Sequence, residues 1–187
     1  MSLNAYILAG GKSTRMGEEK GLMKFNEKPL IQYVIDAVQQ VTTDIFIVTN
    51  NNAYLPFGFP LISDLQKGLG PAGAIDTVLF HSTADTNLII ACDMPFIDAD
   101  SIRYLISQQR PDGITVPLFN QYPEALFGLY ASSIHAKWHQ LVEKGILKLS
   151  DLLSSFETTF VNGNAMSESN KNLFRNMNTK DDLLDAQ

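Results

Sequence analysis

The sequence is poor in several residue types, and each scarcity removes a class of function. Cys92 is its one cysteine, so neither an internal disulfide nor a multi-cysteine zinc pattern can form. A reduced, cytoplasmic setting is the expectation. Lysine and arginine number 14 against 20 acidic residues, for a net charge of −6. A general nucleic-acid binder carries a basic surface instead, so nucleic acid is not an expected partner. Tryptophan occurs once, at Trp138, and is read as packing on its helix. No run interleaves aromatic with basic side chains, as a single-strand binder requires. No apolar stretch approaches the ~20 residues needed to span a bilayer. The start, Met1 to Leu8, lacks the basic flank and long apolar run of a signal peptide, so no membrane partner is expected. Internal repeats, low-complexity tracts and long linkers are also missing.

What is present is a chain of 187 residues, 45% hydrophobic and 18% charged, which suits one folded domain over 1–187. Its apolar runs are short and separated by helical patterns. Ala5 to Leu8 reads as a buried strand, and Ile45 to Val48, Leu61 to Ser63 and Asn87 to Ala91 as three more. Between them, Leu30 to Val41 reads as an amphipathic helix with Ile31, Val34, Ile35 and Val38 on one face. Pro71 to Phe80 reads as a helix with proline in its first turn. Asp98 is the expected N-cap of a helix running to Ser107. The back half is more mixed. Strands are expected at 114–116, 126–130 and, as an edge, 158–161, with a helix at 132–142. A last helix starts near Thr179, where Thr179 and Asp182 have the spacing of a capping box. Strand–helix alternation predicts an α/β fold, with a mostly parallel central sheet and helices on both faces. In such sheets ligands bind at the carboxyl ends of the strands. Ala9 to Lys20, Asn50 to Asn52 and Cys92 to Pro95 all fall there.

Lys12, Arg15, Lys20, Lys24 and Lys28 hold five of the 14 positive side chains within 17 positions of an acidic chain. That is the footprint of a site for a compact anion, or else of a solvated loop. The same segment opens with Leu8, Ala9, Gly10 and Gly11, directly after the first strand. Adjacent glycines let backbone N–H groups approach a phosphate. Arg15 can chelate it with two donors and Lys20 can add a point charge. Gly11-Lys12-Ser13 does not fit the P-loop spacing, since the residue five before Gly11 is Tyr6, inside the strand. A Gly-x-Gly-x-x-Gly dinucleotide motif does not occur. Asp93 closes an apolar strand at the lip of the sheet, where a carboxylate can hold a hard cation against phosphate oxygens. A P-loop-type enzyme would use an aspartate in the same way, and is one rival reading. Asp64, after the third strand, is a second acidic candidate, or else a loop aspartate bonded within its own turn.

Together these segments resemble the molybdenum cofactor guanylyltransferases. Leu8 to Lys20 resembles the family signature, and Lys28-Pro29-Leu30 its next motif. Asp64 stands where the family has an aspartate after its third strand. Cys92-Asp93-Met94-Pro95 matches the metal-binding segment, and Asn176 to Thr179 the paired asparagines before the last helix. The resemblance implies a Rossmann-like nucleotidyltransferase fold. It also implies GMP transfer from GTP to the terminal phosphate of molybdenum-bound molybdopterin, releasing pyrophosphate, with Mg²⁺ as cofactor. Other cofactor-biosynthesis proteins are candidate partners. On the same basis, Leu8, Ala9, Gly10, Gly11 and Asn50 bind nucleotide, and Lys20 holds the phosphates. Asp64 lies in the guanosine pocket, Asp93 holds Mg²⁺ and takes part in nucleotide binding, and Asn176 and Asn178 lie near the acceptor or metal. Arg15, Lys20 and Asp93 are the catalytic candidates.

Two departures stand out. Glu19 replaces the family's aspartate before the lysine, and Gly70 to Ile75 exchanges alanine and glycine relative to the family's Gly-Pro-Leu-Ala-Gly-Ile. Relatives with another base or acceptor are the nearest alternatives: a molybdopterin cytidylyltransferase or a sugar-phosphate nucleotidyltransferase. Ala9-Gly10-Gly11 favours guanine over the Ala-Ala-Gly typical of the cytidylyl relatives. A non-catalytic nucleotide-binding module is the other class. A terminal phosphate, with a second pKa near ~6, needs no general base at neutral pH, which fits the lack of an obvious catalytic histidine. His135 and His139 have a metal-compatible spacing of four. With no carboxylate pattern around them in sequence, they read as a solvated helix face. His81 reads as a helix end, and Cys92 as a buried filler.

Overall fold

Tyr6 and Leu8 bury into one face of the sheet while Ala5 and Ile7 bury into the other, the period of two that a strand imposes. Because both faces are covered, the strand is a continuous apolar run. This computed structural model describes residues 2–10, 19–179 and 182–183. In chain order the strands are β1 (Leu3–Leu8), β2 (Lys24–Phe25), β3 (Lys28–Pro29), β4 (Ile45–Val48) and β5 (Leu61–Ile62). They continue as β6 (Thr86–Ala91), β7 (Ile114–Phe119), β8 (Tyr122–Pro123), β9 (Phe127–Ala131) and β10 (Thr158–Asn162). The helices are α1 (Leu30–Val38), α2 (Gly70–His81), α3 (Ala99–Ser107), α4 (His135–Glu143), α5 (Leu149–Leu153) and α6 (Gly163–Met166). Short 3-10 helices cover Lys20–Leu22, Asn52–Phe57 and Ser132–Ile134.

The main sheet runs β10-β7-β9-β6-β1-β4-β5, with β8 on β7, and β2 and β3 form a separate hairpin. β6, β1, β4 and β5 are parallel throughout. β9 runs antiparallel to both β6 and β7, and β10 is parallel to β7 at the edge. This is the expected mostly parallel sheet with a mixed back half. α1 and α3 cover one face: Ile31, Val34, Ile35 and Val38 pack with Ile102 and Leu105 on Ile7, Ile47 and Ile90. α2, α4 and α5 cover the other, with Ile75, Val78, Trp138 and Leu152 on Tyr6, Val48 and Ile89. Among the described residues no helix is long and apolar enough to cross a membrane.

Most element boundaries fall within a residue or two of expectation, and the exceptions have local causes. α1 stops at Val38, short of Val41, because the N–H groups of Val41 and Thr42 both donate to the Val38 carbonyl and tighten the last turn. The expected helix at 132–142 begins as a 3-10 turn. Ser132 is tied down there by its N–H on the Asp85 carbonyl and its hydroxyl on the Ala84 carbonyl. Asp98 and Ser101 make the reciprocal capping box of α3. Trp138 is buried, donates to the Ala72 carbonyl at 3.1 Å and stacks on Phe156, so it joins helices as well as packing on its own. His81 ends α2, as expected.

Candidate active site

The carboxyl ends of β6, β1, β4 and β5 lie side by side, and the candidate residues follow from that edge. The β1 end is pinned between its neighbours. The Leu8 carbonyl accepts from Cys92 N–H, Ala9 N–H donates to the Val48 carbonyl, and the Ala9 carbonyl accepts from the Thr49 hydroxyl. Leu8 and Ala9 are buried, and Gly10 is exposed at the start of the loop. Gly11, Lys12 and Arg15 lie outside the described residues.

Lys20, at the start of its 3-10 turn, reaches back over the β6 end. Its Nζ lies 2.8 Å from Asp93 Oδ2 and also donates to Asn178 Oδ1. The Asp93 side chain is 13% exposed and that of Lys20 32%, enough shelter for the pair to be held in place while one side stays open. Gly21 explains how the lysine gets so close. A Cβ at that position would lie 2.8 Å from the Tyr54 hydroxyl oxygen and 3.0 Å from Cys92 Sγ. Only glycine lets the turn settle on these two side chains. Burial pushes the Cys92 thiol well above its usual range, and the Asp93 charge adds to the effect. Cys92 is thus the inert filler that the sequence suggests. Burial raises the Tyr54 phenol as well, with Cys92 and Glu19 contributing. The Tyr54 hydroxyl donates to Glu19 Oε2 at 3.4 Å, so the unusual Glu19 spans to the floor of the turn.

Asn178 comes from the far end of the chain. Met177 N–H donates to the Asp93 carbonyl at 2.9 Å, and the Asp182 carboxylate accepts from the Asn178 and Thr179 N–H groups. Asp182 N–H donates back to the Thr179 hydroxyl, completing the reciprocal capping box foreseen at 179–182. Thr179, Asn178 and Arg175 together hold the Asp182 carboxyl below its ordinary range, the Thr179 hydrogen bond most of all.

Lys20, Asp93, Asn176 and Asn178 therefore line one cavity of about 370 Å³, which Glu124 and Ser150 also face. Glu124 escaped the sequence reading. It sits in the turn between β8 and β9, and a single carboxylate in a turn carries no motif. Burial raises its carboxyl above the ordinary range. Asn50 and Asp64 form a second station, at the ends of β4 and β5. Asn50 Nδ2 donates to Asp64 Oδ2 at 2.7 Å, and Asp64 N–H donates to Asn50 Oδ1 at 3.2 Å. Asp64 is thus bonded across to the neighbouring strand exit, outside its own turn. The two stations flank the exposed Gly10. The rearranged loop after Asp64 starts α2, where a Cβ on Gly73 would meet Leu69 Cβ at 2.6 Å. The glycine at that place is required by the chain's own entry into the helix.

The histidines correct the sequence reading. His135 and His139 are half-exposed, but theirs is not a merely solvated face. Asp76, 63 residues before His139 and on α2, faces both of them. The buried carboxylate that faces both rings comes from another helix, through tertiary structure.

Residues 5–159 match the MobA-like NTP transferase domain. The chain is 36% identical to a probable molybdenum cofactor guanylyltransferase of Flavobacterium johnsoniae over 98% of its own length and 96% of the relative's. It is 34% identical to the molybdenum cofactor guanylyltransferase of Vibrio parahaemolyticus, over 95% and 91%. Its structure matches the molybdopterin-guanine dinucleotide biosynthesis protein A of Archaeoglobus fulgidus with a TM-score of 0.81 and 25% identity, covering 98% and 96% of the two chains. A lysine–aspartate–asparagine cluster at the end of a parallel strand, with agreement over nearly the whole length, places the protein: the chain belongs to the MobA-like NTP transferase family, alongside the molybdenum cofactor guanylyltransferases.

Proposed function

We propose that the chain transfers GMP from GTP to the terminal phosphate of molybdenum-bound molybdopterin, yielding a molybdopterin guanine dinucleotide and pyrophosphate. The observation that carries this reading is the convergence of Lys20 on Asp93 and Asn178 in the cavity at the β6 end. A phosphate-binding cation, an acidic anchor and a neutral polar group meet there, where the family's relatives carry the activity in their names. The acceptor phosphate is mostly dianionic at neutral pH, so its oxygen attacks the α-phosphorus of GTP without a protein base. The α–β bridging bond breaks and pyrophosphate leaves with the electron pair. Lys20 neutralises the oxygens on which charge accumulates. Asn176 and Asn178, tied to the Asp93 backbone through Met177, orient the acceptor, and orientation supplies much of the rate. Gly10, beside the buried Leu8 and Ala9, borders the nucleotide, and Asn50 and Asp64 bound the guanosine side. Gly11 and Arg15 would complete the phosphate cradle.

Mg²⁺ fits the residues present, because Asp93 and Asn178 offer the hard oxygen donors it prefers. Bound there it would supply Lewis-acid stabilisation of the phosphoryl charge. Lys20 rests on Asp93 in the structure, so nucleotide phosphates would draw the ammonium off and free the carboxylate. The deciding assay measures pyrophosphate release with molybdopterin, Mg²⁺ and each of GTP, CTP, ATP and UTP. GTP should be used in preference. Equal turnover with CTP would remove the guanine assignment, and no turnover with any triphosphate would remove the reaction.

A further inference from the structure

We infer that Asp76, His135 and His139 form a binding site for a divalent transition cation of the Zn²⁺ type, on the face of the sheet covered by α2 and α4. The inference is independent of the nucleotidyl-transfer reading.

Three observations carry it. First, the ligand atoms are assembled: the carboxylate and one nitrogen from each ring all lie within 4.8 Å of one another. Asp76 Oδ2 is 2.9 Å from His139 Nδ1, and Asp76 Oδ1 is 3.7 Å from His135 Nε2. Metal–ligand lengths of ~2.0–2.2 Å in a tetrahedron put neighbouring donors roughly 3.3 Å apart, and the two distances straddle that value. Second, the set is left incomplete by protein alone. The Asp76 side chain is only 3% exposed, and its Oδ1, like His135 Nε2, is buried without a hydrogen-bond partner. Buried polar atoms are normally satisfied, and these two face each other across a gap too wide for a hydrogen bond. A cation between them would satisfy both. Third, the His139 ring turns Nδ1 towards Asp76 and Nε2 towards a second carboxylate. Its Nε2 points at Glu143 Oε1, 3.5 Å away. Nδ1 now donates to Asp76 Oδ2, and a cation taking that place would displace this proton, with Glu143 near enough to take a hydrogen bond from the far nitrogen, the arrangement that supports metal-bound histidines.

Two imidazoles and a carboxylate suit Zn²⁺ and its first-row neighbours, whereas an all-oxygen set suits Mg²⁺. Two of the ligands stand one helical turn apart on α4 and the third is on α2, so the cation would clamp the two helices. Trp138 already joins them through the Ala72 carbonyl. The clamp also bears on the nucleotide edge. Thr77, the residue after Asp76, accepts from Leu65 N–H with its hydroxyl at 3.0 Å, and Leu65 follows Asp64.

The test uses the full chain, stripped with EDTA and titrated with Zn²⁺ or Co²⁺ near pH 7.5. Metal that binds only the folded state raises its melting temperature. For a chain of this size the rise should be about 5–10 °C at a hundredfold excess over Kd. Co²⁺ should develop the visible absorption of a low-coordinate nitrogen–oxygen site. In the double variant His135→Gln, His139→Gln both responses should disappear, whereas Asp93→Asn should keep them, since its carboxylate belongs to the other site. The glutamines keep bulk and polarity at half-exposed positions. If they nonetheless unfold the chain, the Co²⁺ spectrum of the wild type read against Asp93→Asn decides. Absence of a Zn²⁺ shift in the wild type overturns the inference. So does a shift that survives the double variant, or a Co²⁺ spectrum that Asp93→Asn abolishes.

Discussion

Asp93 and Asp76 are both sheltered carboxylates that face positively charged or ionisable partners, yet they sit in opposite kinds of place. Asp93 ends a buried parallel strand and opens onto a cavity of about 370 Å³ shared with Lys20 and Asn178. Asp76 is in mid-helix, 3% exposed, and meets two histidines between packed helices. The strand end leaves room for a ligand as large as a nucleotide phosphate. The helix interface instead sets the carboxylate directly against two imidazoles. A carboxylate's task is therefore decided by what stands in front of it as much as by its charge.

That contrast can be broken in several ways, and the largest effect is expected at Asp93. Asp93→Asn keeps size and loses charge, so turnover in guanylyl transfer should fall about a hundredfold or more, from loss of several kcal/mol of phosphoryl stabilisation. The melting curve should be close to wild type. Near-normal turnover at low Mg²⁺ with normal melting would move the metal elsewhere. Lys20→Ala comes next. Loss of a charge-assisted contact worth roughly 1.5–3 kcal/mol should lower turnover about tenfold to a hundredfold, and full activity would shift the phosphate role to Lys12 or Lys24. The opposite signature is expected on the other side of the sheet. His139→Ala strips Asp76 of its 2.9 Å partner and leaves a buried charge. The melting temperature should drop by roughly 2–10 °C, while turnover at a permissive temperature stays within about twofold. Lost turnover without lost stability would merge the two regions into one.

The smallest effect concerns the cap that holds Asn178. The Asp182 carboxyl has a lowered pKa in the fold, so its contribution is fully present above the unfolded value, near ~4. It is lost as pH falls through the folded value. Below about pH 4 the Asn178 and Thr179 amides should lose protection and shift in NMR spectra before the core strands respond. Simultaneous loss of all amides would show that the cap has no separate role.

Much of this was legible in the sequence because the signals are local. The strands β1, β4 and β6 are short apolar runs. The α1 stripe of Ile31, Val34, Ile35 and Val38 has helical period, and Asp98 and Ser101 write their own capping box. Asp93 stood out because it ends an apolar strand in a chain whose first strand ends in a glycine-rich, basic loop; alone it would read as the cap of the next turn. Glu124 did not, because a lone carboxylate in a turn has many. The β2–β3 hairpin and β8 are two-residue strands, too short for any alternation to register.

By itself the sequence determined the strand–helix order, the parallel sheet that order requires, and the placing of Gly10, Asn50, Asp64 and Asp93 at the carboxyl edge of that sheet, because each depends on neighbours within a few positions. Only the tertiary structure decided which distant groups meet: Asn178 with Lys20, Glu124 with the same cavity, and Asp76 with His135 and His139. Those meetings join residues up to 158 positions apart. No local period records such a pairing, since it is fixed by how the helices and the chain's far end pack back on the sheet.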